Sequence, residues 1–250
     1  MRGMRLVSVA PEGIQGGGDS RLSRVPGLRI SEIFYSIQGE GILAGVPSVF
    51  VRLSGCNLRC AWCDTPYASW NPEGDYKMLG EILGDVRSRW STHVVVTGGE
   101  PMIAEKIVEL TKGLKEIDLH VTIETAGTVY KPVVCDLMSI SPKLANSTPS
   151  GKFAAQHEEL RYNPEVLRQL MSGYEYQLKF VVTAREDLAE IETILKETNA
   201  DRSRVLLMAE GTSTEAIHER SRWLVDLCKQ QRFRYSPRLH IDLWNNQRGR

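Results

Sequence analysis

Short apolar runs ending in polar, often glycine-containing turns recur along this chain, several of them separated by helical stripes, and few architectures accept that alternation. The runs centre on Val49, Val94, Val121, Leu137, Leu178 and Leu206, and Arg29–Phe34 reads as a further short strand. Apolar residues at helical spacing occupy Tyr76–Trp90, the stretch after Pro101 (Ile103, Ile107, Val108, Leu110, Leu114), Asn163–Met171, Asp187–Lys196 and Ser213 to about Gln231. Thr212 with Glu215 fits a capping box before the last of these. A helix between two strands returns the chain to the same end of a sheet, so the strands run parallel with right-handed crossovers. The pattern predicts an α/β fold with six such strands, whose carboxyl-end loops build the functional site. The length suits one domain over residues 29–250, while residues 1–28, with Gly16–Gly18 and no apolar period, read as a disordered extension. Leu144–Tyr162, containing Pro149 and Gly151, reads as an irregular surface crossing or lid.

One of those carboxyl-end loops carries Cys56, Cys60 and Cys63 in a C-x3-C-x2-C spacing. Three thiols this close can grip one soft metal centre. A [4Fe–4S] cube normally takes four thiolates, so three would leave one iron open to another ligand. A zinc knuckle is the competing reading, with His93, Cys135 or Asp64 as the fourth ligand. Five cysteines, three of them crowded into one loop, fit a reducing compartment better than a disulfide framework, and a cytoplasmic location is expected. Lys+Arg and Asp+Glu both number 31, so no net charge draws the protein toward nucleic acid or a membrane surface. A small substrate is therefore expected.

The cysteine spacing and Thr97-Gly98-Gly99-Glu100-Pro101 resemble the radical S-adenosylmethionine (SAM) superfamily. Ser36-Ile37-Gln38-Gly39-Glu40-Gly41, Phe50–Leu58, Cys63-Asp64-Thr65, Ser141-Pro142-Lys143 and Gln177–Phe180 are narrower; they resemble the 7-carboxy-7-deazaguanine synthase family of the queuosine and 7-deazapurine pathways, across about Ile30 to Gly249. That resemblance implies a modified partial (β/α)6 barrel with a parallel sheet, working as a homodimer. It implies conversion of 6-carboxy-5,6,7,8-tetrahydropterin to 7-carboxy-7-deazaguanine with loss of ammonia. In that chemistry a flavodoxin-type reductant feeds the cluster, SAM yields a 5′-deoxyadenosyl radical that takes hydrogen from C6, the ring contracts with the help of Mg²⁺, and SAM is regenerated.

Residue by residue, the resemblance places Cys56, Cys60 and Cys63 on the cluster and Thr65 on Mg²⁺, a hard ion that takes oxygen ligands. Ile37, Gln38, Gly39, Arg52 and Thr97 would meet the pterin, Arg52 at its carboxylate. Trp62, Cys63, Asp64, Gly99, Glu124, Thr125, Ser141, Pro142, Lys143, Gln177 and Lys179 would surround SAM. Some relatives bring a chain-terminal proline to the substrate, whereas this chain ends in Arg250. Cys135 and Cys228 read as ordinary buried thiols. Two other functions share parts of the pattern: a glycyl-radical activating enzyme acting on a protein loop, and a zinc-stabilised α/β binding module.

Overall fold

The computed structural model describes residues 27–250. Most of the expected extension lies outside them, and Leu28, at its inner end, already belongs to the first strand. In order, the chain forms β1 (Leu28–Ile37), β2 (Pro47–Leu53), α1 (Pro66–Ser69), β3 (Asp75–Lys77), α2 (Leu79–Arg87), β4 (His93–Gly98), α3 (Ile107–Glu116), β5 (His120–Thr125) and β6 (Leu137–Ile140). It continues through α4 (Ala154–Leu160), α5 (Pro164–Gly173), β7 (Tyr176–Val182), α6 (Asp187–Thr198), β8 (Val205–Ala209), α7 (Thr214–Gln231), β9 (Arg234–Ser236) and α8 (Leu239–Trp244). One nine-stranded sheet runs in the order β3-β1-β2-β4-β5-β6-β7-β8-β9. From β2 to β9 every neighbouring pair is parallel, while β1 is antiparallel to both β2 and β3. The sheet is not closed, so the architecture is a partial α/β barrel.

Alternation along the strands decides what each face does. Val49, Val51 and Leu53 of β2, Val94 and Val96 of β4, Val121 and Ile123 of β5, and Leu178, Phe180 and Val182 of β7 join one apolar core with helix residues such as Ile82, Leu110, Ile191 and Leu224. The residues between them, Phe50, Arg52, Thr97, Glu124, Ser139, Lys179 and Met208, line a cleft on the other face. Register sets several of them side by side: Arg52 is opposite Thr97, and Ser139 lies between Glu124 and Gln177.

The departures from the sequence pattern are local. The sheet has nine strands: the six read as parallel, β1, which the sequence reads as a short strand at Arg29–Phe34, and β3 and β9, each only three residues long and too short for the pattern to register. The helix expected from Tyr76 starts at Leu79; Tyr76 sits in β3, and Trp90 lies beyond α2, 92% exposed, with φ of 55°. The helix after Pro101 breaks into a single 3-10 turn and then α3, leaving Ile103 outside the latter. Ser213, rather than Thr212, caps α7, its hydroxyl accepting from the Ala216 N–H at 3.3 Å. Leu144–Tyr162 contains two 3-10 turns and α4.

Candidate active site

The cysteine loop leaves β2 and is held by the end of β4. Gly55 N–H donates to Ala68 O at 2.8 Å, Gly99 N–H to Leu53 O at 3.2 Å, and Glu100 N–H to Gly55 O at 2.9 Å. This explains the paired glycines of the T-G-G-E-P turn. A Cβ on Gly98, whose φ is +147°, would lie 2.2 Å from Leu53 O, and one on Gly99 would lie 2.2 Å from Gly55 O. Glu100, fully buried, then ties β4 to β5: it accepts from Thr125 Oγ1 at 2.7 Å, Met102 N at 3.0 Å and Ala126 N at 2.7 Å. Burial pushes its carboxyl above the ordinary range, against the pull of these bonds.

Cys56, Cys60 and Cys63 all line the cleft. Burial pushes the Cys56 thiol up to about 12, with Glu100 adding to the effect, and Cys60 up to about 11; Cys63 is raised by burial and by Asp64. The three thiols are free of disulfides, and ligation of a metal centre would release their protons. A cube spreads its thiolates over separate irons, so the donor set fits a [4Fe–4S] cluster. It does not fit the zinc reading: His93 opens β4 and Cys135 precedes β6, both at the amino ends of strands, and Asp64 is paired to Arg238.

Across the cleft, whose volume is about 230 Å³, lies a chain of charges centred on the buried Lys179 and Arg238. Lys179, 3% exposed, donates to Glu40 Oε2 at 2.9 Å and Glu124 Oε1 at 3.3 Å. Gln38 Nε2 donates to the same Glu124 oxygen at 3.2 Å. Arg238 bridges Glu40 Oε1 (3.1 Å), Asp64 and the Gly211 carbonyl (2.5 Å). Thr65 Oγ1 donates to the other Asp64 oxygen at 2.8 Å. Burial works to raise the Glu40 and Asp64 carboxyls, but Lys179 and Arg238 at Glu40, and Arg238 at Asp64, hold both below the usual carboxylate range. Burial lowers His240, the nearby imidazole. On the β1–β2 side, Arg52 Nε donates to Glu32 at 2.7 Å and its guanidinium lies 5.6 Å from the Phe34 ring centroid. Its terminal nitrogens make no hydrogen bond to another described residue.

The cleft gathers Ile37, Gln38, Gly39, Arg52, Trp62, Asp64, Thr65, Thr97, Gly99, Glu124, Thr125, Ser141, Lys143 and Lys179 together with the three cysteines. Two of the expected contacts lie elsewhere. Gln177 is buried with its amide committed, accepting from Ile42 N at 2.9 Å and donating to Ser139 Oγ at 2.8 Å, so it props the loop after β1. Pro142 is buried outside the lining. Sequence reasoning did not single out Glu40, Arg238 and His240, whose partners are far away in the chain; the tail from Asn246 to Arg250, set apart from some relatives by its lack of a terminal proline, lines the cleft as well. Asn246 Nδ2 donates to Asp64 O at 3.0 Å and the Arg248 guanidinium lies 4.1 Å from the Tyr67 ring centroid.

The radical SAM superfamily profile matches residues 50–146, the stretch that carries the cysteine loop and the T-G-G-E-P turn. The 7-carboxy-7-deazaguanine synthase of Halobacterium salinarum is 43% identical over 245 residues, covering 92% of this chain and 93% of its own. That of Rhodopirellula baltica is 44% identical over 237 residues, covering 93% and 92%. The crystal structure of QueE from Escherichia coli superposes with a TM-score of 0.64 at 25% identity, covering 84% of this chain and 93% of that one. A three-cysteine loop in a strand-end cleft, on a partial barrel shared over nearly the whole length with these relatives, makes the chain a radical SAM enzyme of the 7-carboxy-7-deazaguanine synthase family.

Proposed function

We propose that the enzyme converts 6-carboxy-5,6,7,8-tetrahydropterin to 7-carboxy-7-deazaguanine and ammonia. The observation that carries this reading is the single cleft in which the three cysteines face Arg52 and the Gln38–Glu124–Lys179 group. A [4Fe–4S] cluster on Cys56, Cys60 and Cys63 with bound SAM supplies the hydrogen-abstracting chemistry at C6. Arg52, with its Nε anchored on Glu32, presents its terminal nitrogens to the substrate carboxylate. Ile37, Gln38, Gly39 and Thr97 border the pterin beside it, with Phe34 and Phe50, stacked at 4.9 Å, as an apolar wall. Trp62, Asp64, Gly99, Glu124, Thr125, Ser141, Lys143 and Lys179 border SAM. Lys143 is held for that purpose by Ser141 Oγ at 2.9 Å and lies 5.8 Å from the Trp62 ring centroid. Thr65 Oγ1, which donates to Asp64, would hold Mg²⁺.

Loss of ammonia accounts for every atom that leaves the substrate, so the conversion is redox-neutral and the hydrogen removed at C6 is returned. The cluster would need an external one-electron donor of flavodoxin type, which a redox-neutral conversion would not consume stoichiometrically. No helix among the described residues is long and apolar enough to cross a membrane; the proposed setting is the cytoplasm, with the enzyme acting as a homodimer. The test is anaerobic turnover of reconstituted protein with SAM, Mg²⁺, a reductant and the carboxytetrahydropterin, followed by mass spectrometry. The deazaguanine product is expected. Slow SAM cleavage without it would retain the radical class and reject the substrate.

A further inference from the structure

The proposed chemistry makes no use of a buried histidine that grips the cysteine loop from outside the cleft. His157, on α4, is 1% exposed, and the Arg59 backbone N–H donates to its Nδ1 at 3.1 Å. Its Nε2 lies 2.9 Å from Ser147 Oγ. The Ser147 hydroxyl spends its own hydrogen on Leu144 O at 2.6 Å, so toward the ring it accepts. The ring proton therefore sits on Nε2 and Nδ1 keeps its lone pair for Arg59. Ser147 completes the grip through its carbonyl, which accepts the Ala61 N–H at 2.8 Å. The two anchored amides, Arg59 and Ala61, flank Cys60.

We propose that His157 is a positioning residue for the cysteine loop: with Ser147 it clamps the backbone on both sides of Cys60 and so fixes where that thiol enters the cleft. The cluster role of Cys60 rests on the function proposed above; the relay does not. An aliphatic side chain would fill the same buried space and leave the Arg59 N–H without an acceptor, which is costly away from water. Trp70 Nε1, donating to Cys60 O at 3.0 Å, and Trp62 Nε1, donating to Asn146 O at 3.0 Å, hold neighbouring points of the loop but neither replaces that acceptor.

Three substitutions separate the roles of the two ring nitrogens. His157→Asn places an acceptor near the Nδ1 position; His157→Gln places a donor near Nε2 but no acceptor for Arg59; His157→Leu supplies neither. The first readout is amide hydrogen exchange of the cluster-free protein. The Arg59 amide should exchange within about threefold of the parent in the Asn variant and at least about tenfold faster in the Gln and Leu variants, with the sheet amides unchanged. After reconstitution, iron extraction by a chelator should follow the same order, and the electron paramagnetic resonance spectrum of the reduced cluster should broaden in the Gln and Leu variants only. Equal exchange in the Asn and Gln variants, or iron extraction insensitive to all three, would overturn the proposal. Where the Leu variant does not fold, the Asn and Gln comparison decides alone. A parent protein that binds no cluster yet shows the ordered exchange would reject the function proposed above and leave the relay intact.

Discussion

Lys179→Met keeps a side chain of similar length and removes the cation between Glu40 and Glu124. Lys179 is 3% exposed, and its partners' side chains are 15% and 22% exposed at 2.9 and 3.3 Å. Removing one member of a buried ion pair costs about 3–5 kcal/mol, because the other charge stays buried. Arg238 remains on Glu40, which sets the expected loss near the lower end, about 3 kcal/mol. For a domain of this size that lowers Tm by about 6–12 °C. The pH dependence has a fixed sign. Glu40 in the parent has a pKa below its ordinary 4.5, so its contribution is present above that value and is lost as pH falls through the folded one. Without Lys179 the folded value rises and the variant takes up a proton first, so the gap between the two proteins narrows on acidification. Lys179 itself has a pKa raised above 10.5, so its contribution is complete below 10.5 and fades as pH rises through the folded value. The gap is therefore widest between about pH 5 and 10. The assay is thermal unfolding of cluster-free protein followed by circular dichroism. A Tm within 2 °C of the parent at neutral pH, or a gap that widens at pH 4.5, would refute the reasoning.

Other expected outcomes follow from the same geometry. Gly99→Ala drives a Cβ against the Gly55 and Ala68 carbonyls, so it should cost about 1–3 kcal/mol and lower the iron retained after reconstitution, measured by calorimetry and iron analysis. Arg52→Ala should leave iron content and substrate-independent SAM cleavage at parental levels while kcat/KM for the pterin falls about 10- to 100-fold, the worth of one charged hydrogen-bond pair. Thr65→Val should abolish stimulation by Mg²⁺ and Thr65→Ser retain it, read from turnover against Mg²⁺ concentration.

The sequence made the parallel frame and the cluster loop legible for physical reasons. Val94–Val96 and Tyr176–Val182 are largely apolar runs long enough to read, Val121 and Ile123 alternate with polar residues in His120–Thr125, and the cysteine spacing needs no tertiary information. Polar positions also marked the cleft: Arg52, or Gln177 and Lys179, interrupt otherwise apolar strands. What stayed hidden depends on distance. Arg238 meets Asp64 across 174 positions, and nothing around Arg238 announces that partner. Gln177 and Lys179 share a strand face, yet one supports a loop and the other a charge pair, a difference set by what packs above them. Trp90 completed an apolar stripe on paper, but α2 ends before it.

The account stands on one cleft serving cluster, SAM and substrate together, and isotope transfer tests that most directly. Turnover of substrate carrying deuterium at C6, with SAM reisolated and weighed, should find deuterium in the recovered SAM. Product formation with unlabelled SAM, the C6 deuterium staying in the product or washing out into solvent instead, would contradict it.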